Sequence, residues 1–308
     1  MRLTSKTLLW LIALAMYLYP SAGFGHSSRK CSKPACDLNA IGHRRLFKAG
    51  VNWYSYEKEM GEKLSVALEH QAEIVKDDQV TAYLTRMAQH IAENSDADTP
   101  VTVHILRLTG VTTFTLPGGH VYLTTRLLLQ LQTEADLATI LARDVAHVAL
   151  HSFAREQARA SLLAMSDVAL AQVRPDANSL STPGMVAGFE DLKFQREDER
   201  AADYFGVQYF YKAGYDPECF LKAIRRLWQP APAKPQLAAL SPFPPLTERL
   251  KTLQKEIDDF LPKRPAAVVS TPQFDQFIQR LQQIDPPQDA SQPDAPPKLI
   301  RHDAAADQ

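Results

Sequence analysis

The sequence predicts an α+β fold, mainly α, with a small β-sheet and a hairpin. Three observations carry this. Apolar residues recur at helical spacing through 56–93, 125–173 and 189–213. Residues 101–108, VTVHILRL, alternate and are rich in β-branched side chains, as a half-buried strand requires. The break Pro117-Gly118-Gly119 lies between strand-like residues in 113–124, which reads as a hairpin.

A chain of 308 residues with 45% hydrophobic content buries a sizeable core in one or two domains. Its formal net charge of −1, with the basic residues dispersed, gives no electrostatic case for a nucleic acid or an anionic membrane surface. Nucleic acid is therefore not an expected partner.

Residues 1–25 read as a signal peptide. Arg2 and Lys6 give a positive start, 8–18 is an unbroken apolar run, and Ser21-Ala22-Gly23 supplies small residues for cleavage. The rival reading is an uncleaved anchor, but an 11-residue run is short for a membrane span, which needs roughly 20 residues. No later stretch is long enough to span a bilayer. The expected product is exported, either soluble or weakly membrane-associated.

Residues 26–53 form a polar leader with Leu38, Ile41 and Leu46 as anchors. Within it, Cys31 and Cys36 can close a disulfide in an oxidising compartment, with a metal pair as the rival reading; Cys219 is left over as a small buried apolar residue. A domain then runs over 54–262. Two helices occupy 56–93, with Asp77-Asp78 as break and cap, followed by a turn-rich loop at 94–100, the strand and the hairpin. Helical pattern fills 125–173, a Pro/Gly/Ser/Asn-rich loop covers 175–188, and helix returns at 189–213. Gly214-Tyr215-Asp216-Pro217 is a turn before a helix ending at Trp228. The six prolines of 229–245 demand an extended connection, 247–260 is a short helix, and 263–308 is a Pro/Gln/Asp/Ala-rich, largely disordered tail. There is no internal repeat.

The chemistry concentrates in 133–154, TEADLATILARDVAHVALHSFA. Thr133 with Asp136 three residues on is a capping-box-like start. Leu137, Ile140, Leu141, Val145 and Val148 recur at helical spacing, making one buried face. On such a helix a zinc protease carries H-E-x-x-H, whose histidines at i and i+4 share one face and whose glutamate is the general base. Here the five positions read Arg143-Asp144-Val145-Ala146-His147, so one histidine remains.

The ordered runs LPGGHVYLTT, TEADLATILARDVAHVALHS, REDERAADYFGVQYFYKAGYDP and SPFPPLTERLKTL resemble a zinc metallopeptidase family. It is the family of the heat-shock protease HtpX, the CAAX-prenyl endopeptidase, mitochondrial Oma-type proteases and the periplasmic protease BepA. The likeness covers roughly 54–255 and implies a zincin-like domain whose hairpin borders the substrate cleft, and the periplasm as the compartment of the exported product. It places the substrate edge at Gly118, Gly119, His120 and Val121, where an extended peptide pairs by strand addition.

Carried over residue by residue, the family's first zinc histidine falls on Arg143, which cannot ligate a cation. Its general base falls on Asp144, one methylene short of glutamate. The second zinc histidine is kept as His147 and the third ligand as Glu199, with Asp203 one helical turn on. A further family histidine falls on Phe243, followed by Pro244 and a retained Arg249. A shifted site of His147, His151 and Glu199 is imaginable, but it lacks a glutamate base after His147, and a histidine near His151 is an ordinary non-ligand in the family.

Zinc, the family's cofactor, is accordingly expected to bind weakly or not at all. The Arg143 guanidinium is expected to take the metal's place against Glu199, with Asp144 as a further partner, because an arginine fork suits carboxylates and a lone buried carboxylate is costly. The implied function is a catalytically degenerate pseudoprotease binding unfolded or extended polypeptides, including outer-membrane and envelope proteins. The alternative is an active zinc metalloendopeptidase degrading misfolded envelope proteins, and a third reading is a structural partner of an active paralogue. Elsewhere the plain readings prevail. The 196–200 run is a solvated helix face apart from Glu199; His120 packs in its strand and His104 on the sheet surface; His43, His70 and His90 have no partner pattern; and Tyr204, Phe205, Tyr209, Phe210 and Tyr211 are core.

Overall fold

The computed structural model describes residues 34–46, 53–108, 110–157, 183–228, 243–264 and 267–286. The signal segment, Cys31, 158–182, the proline-rich 229–242 and 287–308 lie outside the described residues. Cys36 is disulfide-bonded and Cys219 carries a free thiol.

Two helices open the domain, α1 (Trp53–Gln71) and α2 (Asp78–Glu93). Asp77 caps α2 as its sequence promises, its carboxylate accepting from the Val80 amide at 3.0 Å. Between them the chain lies along β1 (Thr102–Leu106): the Val75 amide donates to the Ile105 carbonyl and the Arg107 amide to that of Glu73, both at 2.9 Å. This covers the outer side of β1. The sheet has three strands in the order β1-β3-β2, with β2 spanning Thr113–Leu116 and β3 His120–Thr124. β1 runs parallel to β3 and β2 antiparallel to it.

The hairpin is therefore present, but its GGH strand is central. His120 and Val121 have neighbours on both sides, and Val121 is fully buried. The outer strand is β2 instead, which among the described residues pairs only with β3. The expectation that His120 and Val121 form the substrate edge is corrected on this ground. A parallel pair needs a crossover, and the chain places β1 beside β3, the side a simple hairpin would have left open.

After β3 a single turn, α3 (Thr125–Leu128), leads to α4 (Glu134–Ala149), which starts in a complete capping box. Every residue of α4 except His147 is buried. The helix is thus enclosed on all sides rather than on one apolar face: the sheet through Thr113 and Thr115, α2, and the long α5 (Pro183–Lys212) surround it. α5 starts earlier than its composition implies. Close approach between α4 and α5 needs Gly206, whose missing Cβ would sit 3.3 Å from the Arg143 Cα. Helices α6 (Pro217–Leu227) and α7 (Leu246–Phe260) complete the far side.

Both ends of the expected domain move outward. Arg44, in the leader, donates to Asp96 Oδ2 at 2.8 Å, to Gln208 Oε1 at 2.8 Å and to the Ala35 carbonyl at 2.7 Å, so the folded unit includes 34–46. At the other end α8 (Pro272–Ile284), assigned from composition to the tail, is capped by Thr271 and buries Phe274, Phe277 and Leu281. Three large apolar residues at helical spacing suffice to dock a helix that its polar average conceals; Phe277 stacks on Tyr83 at 4.9 Å.

α1 approaches the hairpin so closely that a Cβ on Gly61 would lie 1.9 Å from the Pro117 carbonyl oxygen. Gly61→Ala is expected to cost about 1–3 kcal/mol by forcing backbone apart. A urea midpoint unchanged from wild type would contradict this contact.

Candidate functional site

The site forms where α4, α5, α6 and α7 meet beneath β2. α4 supplies Arg143, Asp144 and His147; α5 supplies Glu199 and Asp203; α7 supplies Arg249; and Trp228 caps the end of α6. The sequence brought all but Trp228 to this centre.

Arg143 is 4% exposed and bridges two carboxylates. Its Nε donates to Asp203 Oδ1 at 2.7 Å, and its Nη2 to Glu199 Oε2. Asp203 also receives Arg249, through Nε at 2.7 Å and Nη2 at 2.8 Å. The Trp228 ring faces both guanidinium groups, at 4.6 Å from Arg143 and 5.3 Å from Arg249. Phe243 lies over Arg249 at 5.7 Å. The residue at the family histidine's place thus stacks on the retained arginine.

Asp144 does not join the Arg143 fork, which corrects the further contact expected of it. It turns to β2, accepting from Thr113 Oγ1 at 2.7 Å and Thr115 Oγ1 at 3.5 Å. These two threonines, at i and i+2, share a strand face. His147 Nδ1 lies 3.2 Å from Ser152 Oγ, and its Nε2 lies 3.7 Å from Glu199 Oε1.

Burial and charge set the protonation states. Burial alone opposes charge on Arg143, but Asp203, Glu199 and Asp144 outweigh it and raise its pKa. Burial also acts against the Asp203 carboxylate, yet Arg143 and Arg249 hold it below the usual range. Asp144 is pushed up to about 7, chiefly by burial, against the pull of the Thr113 hydrogen bond and the Arg143 charge. Partial burial lowers the His147 pKa against the pull of the Glu199 charge, and the positive charge of Arg143 adds to the lowering.

His151 lies beyond the end of α4, at a positive φ of 49°. Its Nδ1 is 2.5 Å from Glu57 Oε2 and its Nε2 is 3.3 Å from Asp98 Oδ1. Both nitrogens are engaged away from His147, so the shifted set of His147, His151 and Glu199 is not assembled. Instead His151 ties α1 to the end of α4. The Glu57 hydrogen bond is the main cause of its raised pKa. This bond therefore stabilises the fold fully below about pH 6.5, the unfolded histidine value, and its contribution is lost as pH rises through the elevated folded value. Glu57→Gln is expected to flatten this part of the stability profile between pH 6 and 8 in urea titrations; a profile that keeps its slope would contradict the assignment.

A cavity opens beside the centre, lined by Glu57, Thr115, Gly118, Gly119, His147 and Ser152. Gly118 and Gly119, two of the residues expected at the substrate edge, lie on the wall of this cavity. Trp228, Thr113, Thr115, Ser152 and Glu57 were not legible as site residues. The threonine pair on β2 is the only one of these with a local signal, its alternation opposite a helix. The others meet the site through tertiary packing.

A catalytic zinc ion is held by three protein ligands and leaves one position open. His147 and Glu199 are two, Glu199 is already engaged by Arg143, and the first ligand's place holds a cation. The residues present do not fit the metal.

Residues 78–257 match Peptidase family M48. Among relatives, the chain is 29% identical over 184 residues to a putative beta-barrel assembly-enhancing protease of Vibrio cholerae, covering 56% of this chain and 38% of the relative. It is 24% identical over 231 residues to the beta-barrel assembly-enhancing protease of Escherichia coli K12, covering 71% and 46%. It is 29% identical over 191 residues to the mitochondrial metalloendopeptidase OMA1 of Schizosaccharomyces pombe, covering 59% and 53%. The chain spans roughly two-fifths to half of the length of these relatives. The fold, the order of its site residues and this match over more than half its length agree: the chain belongs to peptidase family M48.

Proposed function

We propose that this chain is a non-catalytic member of its family that binds extended or unfolded polypeptide in the cell envelope, β-barrel precursors included. The observation that carries the reading is the Arg143 guanidinium seated between Glu199 and Asp203. A fixed positive charge there supports the two carboxylates as a metal would, and needs no metal. Asp144 accepts from Thr113 and is engaged by the sheet. What supports peptide holding is β2, whose outer side pairs with no strand among the described residues, and the cavity bounded by Gly118, Gly119 and His147. Relatives named for enhancing β-barrel assembly support the client class, since unfolded barrel strands are extended and can add to an edge. The amino-terminal apolar run supports export to the periplasm; among the described residues no helix is long and apolar enough to cross a membrane.

The test pairs metal content with client handling. The wild-type chain is expected to hold no zinc dependent on His147, to leave an unfolded barrel protein uncut, and to slow its aggregation. Arg143→His/Asp144→Glu is expected to acquire zinc that His147→Ala removes. Zinc in the wild type that is lost on His147→Ala, together with chelator-sensitive cleavage, would establish an active metalloendopeptidase instead.

A further inference from the structure

The face of the sheet turned toward α1 carries a second cluster that the peptidase centre does not use. The parallel register pairs Thr102 with His120 and His104 with Tyr122, so the two histidines lie diagonally on one face. His104 Nε2 stands 3.5 Å from His120 Nδ1, with ring planes inclined by 39°. That spacing is long for an N–H···N hydrogen bond. It is close to the roughly 3.4 Å between two imidazole nitrogens that share a tetrahedral cation at about 2.0–2.1 Å.

We propose that His104 and His120 form a binding site for a borderline divalent transition cation such as Zn²⁺ or Ni²⁺, on the α1 side of the sheet. The surroundings are those of ligating imidazoles. His104 Nδ1 is 3.2 Å from Glu69 Oε1, so its proton is held there and the Nε2 lone pair faces His120. Glu69 is itself held by the Tyr122 hydroxyl at 3.3 Å, and that hydroxyl lies 2.6 Å from Ser65 Oγ. The Tyr122 ring stacks on His104 at 4.7 Å, fixing its plane. His120 Nδ1 also has Thr102 Oγ1 at 3.1 Å. Glu62 brings negative charge to bear on His120 from α1.

Burial holds both histidines neutral to lower pH than usual, the state in which imidazole ligates. The side chain of His104 keeps 25% of its surface exposed, which gives an ion a way in. Imidazole donors select Zn²⁺, Ni²⁺ and Cu²⁺ over Mg²⁺ and Ca²⁺, which prefer oxygen. Among the described residues there is no set of three histidine, cysteine or acidic ligands, so water completes the shell and the ion is exchangeable.

The site is independent of Arg143, and its test keeps the two apart. The full chain is titrated calorimetrically with NiCl2 and with ZnCl2, and its melting temperature is followed with and without metal. One saturable site is expected in the wild type and in His147→Ala, and none in His104→Ala or His120→Ala. Glu69→Gln is expected to weaken it by about 10–100-fold, the usual loss when a ligand's supporting carboxylate is removed. Should an alanine variant fold poorly, His120→Gln keeps a polar side chain of similar reach, and its metal-free melting temperature reports the fold separately from the ion. The proposal is overturned if the wild type shows no saturable binding, if the site survives loss of either histidine, or if it disappears with His147→Ala.

Discussion

Arg143→Ala is expected to lower the unfolding free energy by about 3–5 kcal/mol, the usual penalty for removing one partner of a buried ion pair. Three consequences combine. Among the described residues, Glu199 loses its guanidinium partner and keeps the more distant His147, 3.7 Å away. Asp203 loses one of two arginines and must rely on Arg249. The Trp228 ring loses the cation at 4.6 Å. Arg143→Lys should recover only part of the loss, because an ammonium cannot offer separate donors to two carboxylates in a fixed fork. The discriminating measurement is a double-mutant cycle with Glu199→Ala in urea unfolding. Coupling of roughly 1–3 kcal/mol is expected for groups in contact. If Arg143→Ala leaves stability unchanged while Glu199→Ala lowers it, the guanidinium is not the group that compensates Glu199, and the proposed loss of metal dependence loses its support.

The parts of this centre that could be read from sequence share a property: each is fixed by spacing along one helix. Arg143, Asp144 and His147 follow from the frame of α4, as Glu199 and Asp203 follow from one turn of α5. The Thr133 capping box and the Asp77 cap were legible for the same reason, since a cap is a contact between residues three apart. What could not be read depends on which elements meet. The edge strand is β2 because β1 lies against β3, a decision made between segments more than a dozen residues apart. Trp228 reads as the end of a helix and becomes part of the site only because α6 points it at two arginines. The helix at 272–284 was concealed by averaging, its three buried apolar residues lying among glutamines and charges. Asp144 shows the limit within a single helix: its position was legible, but its orientation toward Thr113 belongs to the sheet.

The leader makes the same argument at the amino-terminal side, and it can be tested by one residue. Arg44→Ala is expected to cost about 3–5 kcal/mol, as at the peptidase centre, because Asp96 is left without its charge partner. The Asp96 side chain has 0% exposure and Arg44 3%. Asp96 would retain the Gly42 amide at 2.8 Å and the Tyr209 hydroxyl at 2.9 Å, hydrogen bonds that do not supply positive charge. Gln208, buried beside Glu256, would lose its donor as well. The Phe205 ring, 5.2 Å from the guanidinium, would face a void. Arg45, the next residue, is exposed, and Arg45→Ala is expected to stay within about 0.5 kcal/mol of wild type. Limited proteolysis provides the local readout: with Arg44 removed, 34–46 should be cut well before α1. Equal stability and equal cutting for the two arginine variants would mean that the leader is held by its apolar anchors Ile41, Leu38 and Leu46 alone. The expected difference would instead make 34–46 part of the peptidase-fold domain, joined to α5 through Gln208 and to α7 through Glu256.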